Sequence, residues 1–278
     1  PGDAAIIELN DMSDSGHMQS DGALIQCMVG QQPDVQIRYN WLHDTEKFGA
    51  RFDGEGDGYG GHIHHNVIWN VQGGIMVKGH DHNIYNNTAF DNGDKNDIII
   101  MIDQGGNEGT YTINNIANKI AGHRTGNYDS YPVPGNYENN WNGYETDLNI
   151  KNLLVDVENY NFTPIESSEL IDNGLIYENL DISYIGGSPD LGAYEYSGEY
   201  WVPGITWDLE QEFGENFIYP DDLFESGDIN NDSNIDILDV IQLVNIILND
   251  INESFADINN DQNIDILDVI QLVNIILN

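Results

Sequence analysis

Basic residues are scarce in this sequence of 278 residues: Lys and Arg total 8 against 48 Asp and Glu, a formal net charge of −40. A chain this acidic repels phosphate backbones and anionic lipid headgroups. We therefore exclude nucleic acid as a partner. No apolar run approaches the roughly 20 residues that a membrane-spanning helix needs, so we also expect no membrane insertion.

Cysteine and targeting signals are also lacking. Cys27 is the one cysteine, which excludes an intramolecular disulfide framework, and its apolar surroundings predict a core position. The first residues, Pro1 to Ala5, have neither a basic head nor an apolar stretch. We therefore expect a mature or trimmed chain.

The charge is unevenly distributed along the chain. Residues 1–151 hold 21 acids and all 8 bases, whereas residues 152–278 hold 27 acids and no base. The second part repels itself at low ionic strength unless cations screen it or bind to it. This pattern favours a saline or calcium-rich extracellular location for a secreted protein.

A twelve-residue acidic segment occurs twice near the C-terminal end. Asp228–Asp239 recurs 29 residues later as Asp257–Asp268, and the same ten-residue tail follows each copy. Oxygen-bearing side chains at positions 1, 3, 5, 9 and 12, with a carbonyl at position 7, have the spacing with which such a loop surrounds Ca²⁺. The sequence therefore predicts two Ca²⁺ ions, with the ligands Asp228, Asn230, Asp232, Asn234, Asp236 and Asp239 in the first copy and Asp257, Asn259, Asp261, Asn263, Asp265 and Asp268 in the second.

The alternative to a calcium loop is an acidic turn that caps a helix, because Asp and Asn are common caps. The near-identity of two copies favours calcium. Each loop continues into an apolar segment that predicts a helix over about Ile237–Leu248 and Ile266–Leu277. We expect the two helices to pack together through a stripe that comprises Val240, Ile241, Val244 and Ile247 in the first copy.

These loop–helix repeats resemble the type I dockerin family, which has Asp at position 12 and no entering helix. The resemblance implies a small α-helical module with two calcium loops and a cohesin-like partner. Position 6, often Gly, is Ser233 and Gln262 here. Many dockerins carry hydroxyl groups on the two residues after the ninth position, whereas both copies here have Ile–Leu. This difference suggests a non-standard partner. The alternative is that the Ile–Leu pair packs in the core between the helices.

Short β-rich runs broken by Gly, Asn and Asp dominate residues 20–120. Asn40, Asn66, Asn87 and Asn115 recur within these runs at spacings of 26, 21 and 28 residues. A period in the twenties with two short strands per turn predicts a parallel β-helix. Stacked coils would align these Asn side chains in a ladder; the alternative is that each Asn only marks a turn.

The β-rich part resembles the right-handed parallel β-helix proteins of the pectate-lyase-like superfamily, and Gly187–Glu195 resembles the motif that closes such solenoids. The chain is therefore expected to be mainly β. We predict a solenoid over residues 1–196, a linker over 197–227 and the dockerin over 228–278. The first residues predict strands with no capping helix, so the first coil would present an open edge. We therefore expect either that an upstream segment was removed or that another molecule covers this end.

The resemblance implies activity on acidic polysaccharides, which a lyase performs with cationic groups or Ca²⁺ near the uronate carboxylate and a base for the neighbouring proton. Strand alternation predicts that Ala50, Phe52, Ile75, Val77, Ile98 and Ile100 face the core. Arg51 and Lys78 then lie together on the outer face and are the candidate catalytic pair, with Tyr59, His65 and His80 as accessories. The alternative is a surface ion pair between Asp53 and Lys78.

Two further clusters are weaker candidates. His62, His64, His65, His80 and His82 would bind a transition metal only if their rings converged across coils, and solvated or stacked histidines are the alternative. The segment Asp53–Gly58 alternates acids with Gly and is either another Ca²⁺ loop or a flexible turn.

The sequence supports two functions. The first is a secreted, calcium-binding protein in which a β-helix binds or degrades an acidic polysaccharide, as a lyase or glycoside hydrolase, while the dockerin mediates assembly. The second is a non-catalytic structural subunit of an extracellular scaffold or filament. The first predicts a cationic groove on an acidic surface; the second predicts that such a groove is missing.

Overall fold

The computed structural model describes residues 4–17, 21–28, 32–54, 58–102, 106–146, 148–180, 182–204, 227, 229, 234–248, 256, 258–259 and 263–277. The chain divides into two units, Pro1–Thr206 and Trp207–Asn278. The predicted boundaries at residues 196, 197–227 and 228 stay predictions, since residues 205–226 lie outside the described part.

The first unit is a parallel β-solenoid, as predicted. One sheet stacks six strands in the order β1 (Ile6–Glu8), β4 (Gln36–Arg38), β6 (His62–His64), β8 (Asn83–Tyr85), β11 (Tyr111–Ile113) and β14 (Asn136–Glu138). A second sheet contains β2 (Asp11–Met12), β3 (Ala23–Cys27), β5 (Trp41–Asp53), β7 (Val67–Lys78), β9 (Thr88–Phe90), β10 (Ile98–Ile100), β12 (Ile116–Ala117), β13 (Ile120–Ala121) and β15 (Trp141–Asn142).

Every pairing within these two sheets is parallel, and each pairing joins strands of neighbouring coils. A separate antiparallel pair joins β16 (Leu154–Asp156) to β17 (Asn161–Pro164). Short 3₁₀ turns lie nearby at Gly143–Glu145, Ile150–Leu153 and Val157–Asn159.

The asparagine ladder is confirmed and is longer than predicted. It begins at Asn10, passes through the four predicted residues and ends at Asn140, with successive Nδ2–Oδ1 distances of 2.9 to 3.0 Å. Asn40, Asn66 and Asn87 are fully buried, and each also donates to a carbonyl of the preceding coil. The buried turn backbone is thus hydrogen-bonded at each of these coils.

Side chains alternate across the long strands as predicted. The residues expected to face inwards all belong to the main core: Ala50, Phe52, Ile75, Val77, Ile98 and Ile100. Cys27 is buried in the same core. Met76, Ile99 and Met101 on the outer face form a separate buried cluster with Phe48. The outer face of these strands is therefore covered as well, which alternation alone does not reveal.

A C-terminal segment of the first unit, which we call the strap (residues 172–204), packs on the turns of the solenoid. Asn114 contacts it twice, accepting from the Leu175 N–H at 2.8 Å and donating to the Leu175 carbonyl at 2.9 Å. Asn86 donates to the Asp190 carbonyl at 3.0 Å. The predicted closing motif is part of this strap, and its Leu191, Ala193 and Tyr194 are buried against an aromatic cluster of the solenoid.

The second unit contains the two predicted helices, α1 (Ile237–Leu248) and α2 (Ile266–Leu277), which share one hydrophobic core. The predicted packing stripe is wrong in part. Leu243 and Ile246 are the buried apolar residues of α1, whereas Ile241 is 53 % exposed. Nine of the twelve residues of the helix are apolar, so the sequence pattern did not distinguish the buried face from the exposed one.

Candidate functional site

The start of each helix in the second unit is built by two aspartates. The Asp236 carboxylate accepts a hydrogen bond from the Leu238 N–H at 2.7 Å, and the Asp239 carboxylate accepts from the Asp236 N–H at 2.7 Å. The second copy repeats both distances with Asp265, Leu267 and Asp268. This reciprocal arrangement is a capping box, in which the ninth and twelfth residues of the repeat cap the helix.

The twelfth-position carboxylates also hold the loop. The second oxygen of Asp239 accepts from the Ile229 N–H at 2.8 Å, and that of Asp268 accepts from the Asn259 N–H at 3.2 Å. Both carboxylates are fully buried. A buried carboxylate is costly without a nearby cation. Residues 152–278 contain no Lys or Arg to supply one.

The donor set of the loops fits Ca²⁺ in its chemistry. Carboxylate and amide oxygens are hard ligands, and a carboxylate oxygen has two lone pairs, so it can accept a hydrogen bond and also bind a cation. Five predicted ligands lie outside the described residues: Asp228, Asn230, Asp232, Asp257 and Asp261. In the described part, no three His, Cys, Asp or Glu side chains are grouped so as to hold a metal ion. The calcium ligands therefore stay predictions.

The Ile–Leu pair that follows the ninth position is exposed in both copies. Ile237 and Leu238 are 61 % and 52 % exposed, and Ile266 and Leu267 are 63 % and 51 % exposed. The first residue of each helix and the one after it thus point away from the core that α1 and α2 share. Of the two alternatives for this pair, the structure favours a contact surface over core packing.

The comparison with family models agrees with this geometry. Residues 226–277 match the model of the dockerin type I domain. The chain carries a dockerin. No curated protein and no solved structure matched it. A dockerin implies assembly with a cohesin partner, and the exposed Ile–Leu pairs of α1 and α2 lie within the matched dockerin. None of the helices in the described residues has the length and apolarity needed to cross a membrane.

The candidate catalytic pair in the solenoid lies in a buried ionic cluster. Asp53 is paired with Lys78 in register, and the Nζ–Oδ1 distance is 2.5 Å. Arg51 contacts the other oxygen of Asp53 and lies 2.6 Å from a carboxylate oxygen of Asp21. Only 4 % of the Arg51 side chain and 7 % of the Lys78 side chain are exposed. The hydrogen bond from Arg51 lowers the pKa of Asp21.

The alternative to catalysis was a surface ion pair between Asp53 and Lys78. The structure contains this ion pair, but the pair is buried. Arg51 is in register with Met76, a member of the buried Phe48–Met76 cluster. The guanidinium of Arg51 also lies over the Phe48 ring, 5.1 Å from its centroid. Both cations are occupied by carboxylates of the protein itself, so this geometry favours a structural role.

Histidines of the solenoid stack on aromatic side chains. Tyr59 and His80 stack on each other at 5.7 Å, and His65 stacks on Tyr39 at 5.0 Å. The Nδ1 atoms of His64 and His65 are 2.8 Å apart. Burial lowers the pKa of His65 to about 3 and that of His82 to about 4, so both rings are neutral at pH 7. The acidic loop predicted at Asp53–Gly58 lies partly outside the described residues.

The strap and the solenoid line an open aromatic cavity of about 280 Å³. Tyr39, His65, Tyr194 and Trp201 line it, together with Glu195. Burial raises the pKa of Glu195 to about 7. Its two carboxylate oxygens accept from the Asp190 N–H at 2.9 Å and the Ile185 N–H at 3.2 Å, which ties the strap to itself.

A groove that the sequence reasoning missed runs along another side of the solenoid. Two adjoining cavities of about 270 and 470 Å³ share Asn70 and Asp91 as lining residues. Asp44, Asn70 and Asp91 occupy equivalent places on successive coils and are all left-handed, with φ of 47°, 49° and 50°. Each lies four residues after a ladder asparagine. This offset was the signal in the sequence that could have identified the row.

Proposed function

We propose that the chain is a secreted subunit whose dockerin anchors a β-solenoid to a protein assembly in a calcium-dependent manner. The observation that carries the proposal is the pair of equivalent helix starts in the dockerin, each with a buried aspartate and an exposed Ile–Leu pair. Calcium at the two loops would neutralise the buried carboxylates and thereby stabilise the surface that the helices present.

The side chains at these helix starts also indicate what kind of surface the partner has. Because Ile237, Leu238, Ile266 and Leu267 are apolar and more than half exposed, the partner that fits them has an apolar face. The same residues stand at the same exposure in both copies, so either copy can supply this contact. We therefore propose a cohesin-like domain with apolar residues where the dockerin docks.

The docking experiment uses the full chain and a panel of cohesin domains, with affinity measured by calorimetry in 2 mM CaCl₂ (roughly a saturating level for extracellular modules). We expect Leu238→Asp and Leu267→Asp to bind nearly as well as the wild type one at a time, and the double variant to lose binding by about a hundredfold or more. Gln242→Asp, on an exposed position of α1, is the matched control.

Binding by the double variant at wild-type affinity would exclude the helix starts as the docking surface. The calcium part is tested separately with Asp239→Ala and Asp268→Ala. We expect each variant to lose calcium-induced helicity in its own repeat, measured by circular dichroism with and without chelator. Helicity that is insensitive to chelation in the wild type would contradict a role for calcium in folding the dockerin.

The solenoid part of the proposal is association with a polysaccharide. Its support is the parallel β-solenoid fold. The sequence resembles the pectate-lyase-like β-helix proteins, many of which act on polysaccharides. The test for catalysis is incubation with uronic-acid polymers and detection of unsaturated products by ultraviolet absorbance. If product forms, Arg51→Gln and Lys78→Gln test the candidate pair: a folded variant that still forms product would leave these cations with the structural role that their ion pairs favour.

A second candidate function is that of a structural subunit in a scaffold or filament. The ion pairs of the described residues favour it, because five of the eight basic side chains contact carboxylates of the chain itself: Arg38, Arg51, Lys78, Lys95 and Lys151. An acidic glycan would have to compete with these carboxylates for the five cations. Calcium-dependent self-association in sedimentation analysis, with no product from any uronic-acid polymer, would support this candidate over catalysis.

A further inference from the structure

The groove at Asp44, Asn70 and Asp91 combines the features of a carbohydrate-binding site. Its two cavities together fall in the range of about 300 to 1,000 Å³ that is typical of small-molecule sites. The groove crosses three coils, because the three residues belong to successive turns of the solenoid. A chain-like ligand can therefore contact the same kind of side chain more than once.

The polar lining suits hydroxyl groups. Carboxylate oxygens of Asp44 and Asp91 accept hydrogen bonds, and the Asn70 side chain both accepts and donates. Asn70 donates to Asp44 in the structure, and Lys151 lies 2.5 Å from Asp91, so these groups are held in place before a ligand arrives. Sugar hydroxyls act as donor and acceptor at once and match such a mixed row.

An aromatic ring borders the polar row. Tyr160 lines the groove, is 49 % exposed and stacks on Trp41 with a centroid distance of 5.6 Å. Trp69 also lines the groove, but His43 and Phe90 are stacked parallel to its ring at 4.3 and 6.3 Å. Tyr160 is thus the ring with open surface, on which the apolar C–H face of a pyranose can pack.

The charge of the groove decides the class of glycan. Five acidic residues line the two cavities: Asp44, Glu46, Asp91, Asp94 and Glu158. The lining has only two basic residues, Lys47 and Lys151, and Lys151 is already paired with Asp91. A uronate carboxylate in this groove would meet an excess of negative charge.

We propose that this groove binds an uncharged polysaccharide chain, with Tyr160 as the stacking ring and Asn70 as the central hydrogen-bonding residue. This inference rests on the proposed association of the solenoid with polysaccharide and changes the expected glycan from an acidic to a neutral one.

The test is affinity electrophoresis of the full chain in gels that contain one polysaccharide each: an uncharged β-glucan, an uncharged xylan or galactomannan, polygalacturonate, or chitosan. We expect retardation by at least one uncharged polymer and none by polygalacturonate. Tyr160→Asn should weaken binding about tenfold, which corresponds to about 1.4 kcal/mol. Asn is chosen because it tolerates the left-handed backbone of Tyr160, at φ 57°. Tyr131→Asn is the matched control, since Tyr131 is 38 % exposed and lies outside the groove.

Asn70→Asp provides a second variant, which keeps the side-chain size and removes the amide donor; it should also weaken binding to the uncharged polymer. Retardation by polygalacturonate or chitosan alone would overturn the inference and leave the association with polysaccharide standing. Equal binding of an uncharged polymer by the wild type and both groove variants would place the site elsewhere. Retardation by none of the polymers would overturn both the inference and the proposed association.

Discussion

Asn87 lies in the middle of the asparagine ladder and serves two coils at once. Its amide nitrogen donates to the carbonyls of Ile63 and Tyr85, and its oxygen accepts from the Asn66 N–H. The side chain is fully buried, so water cannot replace it.

We predict that Asn87→Ala lowers the free energy of unfolding by about 3 to 5 kcal/mol, because each buried backbone group left without a partner costs about 1 to 3 kcal/mol. Urea denaturation followed by tryptophan fluorescence measures the change. Asn140→Ala, at the half-buried last rung, is the control and should cost about 1 kcal/mol. Equal losses for the two variants would contradict the role of burial.

Asp97 is a fully buried carboxylate that accepts from Asn92 at 2.9 Å. Burial raises its pKa from 3.8 to about 7. Because the folded pKa lies above the unfolded one, this group contributes stability that is fully present below about pH 3.8 and is lost as the pH rises through 7.

We predict that Asp97→Asn removes this loss. The free energy of unfolding of the wild type should fall relative to that of the variant by about 2 to 3 kcal/mol between about pH 5 and 8. Urea denaturation of both proteins at the two pH values gives the difference. The comparison with the variant cancels the contribution of Glu195, whose pKa is also raised to about 7. Parallel pH profiles for the two proteins would show that Asp97 does not titrate in this range.

At the scale of elements, a row of left-handed residues attaches the strap to the solenoid. Asn86, Asn114 and Asn139 precede three ladder asparagines and contact backbone groups of the strap. On the two coils before them, the equivalent residues are His65 and Tyr39, which line the aromatic cavity instead. One structural position thus holds the strap on some coils and lines a cavity on others.

We predict that Asn114→Ala loosens the strap without unfolding the coils, because both of its hydrogen bonds to Leu175 are lost. Limited proteolysis should then cut faster near the exposed Ile176 and Tyr184, with near-native circular dichroism. Asn70→Ala is the matched control, since its backbone is equally left-handed, with φ 49° against 56°, and its side chain donates to Asp44 instead of the strap. Acceleration by both variants would attribute the effect to backbone strain.

The elements that repeat in the sequence were also the predictable ones. The ladder followed from the spacing of Asn40, Asn66 and Asn87, and the core followed from alternation in the long strands, because both patterns recur with each coil. The burial of Arg51 and Lys78 did not follow, because it depends on contacts that are distant in sequence, such as that between Arg51 and Asp21. The exposed face of α1 did not follow either, since its apolar residues lie on both sides of the helix.

At the scale of the whole molecule, the two units differ in how their acidic side chains are neutralised. The described basic side chains of the solenoid are largely paired with its own acids, as for Arg38 with Glu8 and Lys95 with Asp94. The dockerin has acids and no base with which to pair them. Its internal repulsion is therefore relieved only by ions from solution.

We predict that salt and calcium act differently on the two units in differential scanning calorimetry. Raising NaCl from about 10 to 150 mM shortens the Debye length from about 30 to 8 Å and should raise the unfolding temperature of the dockerin more than that of the solenoid.

Adding about 1 mM CaCl₂ at 150 mM NaCl should raise the unfolding temperature of the dockerin again, because a bound ion stabilises only the folded loop. MgCl₂ at the same concentration is the control for ionic strength, and the smaller Mg²⁺ ion fits a flexible oxygen loop poorly. An equal rise with both ions would mean that the acidic loops of the dockerin are screened and bind no calcium.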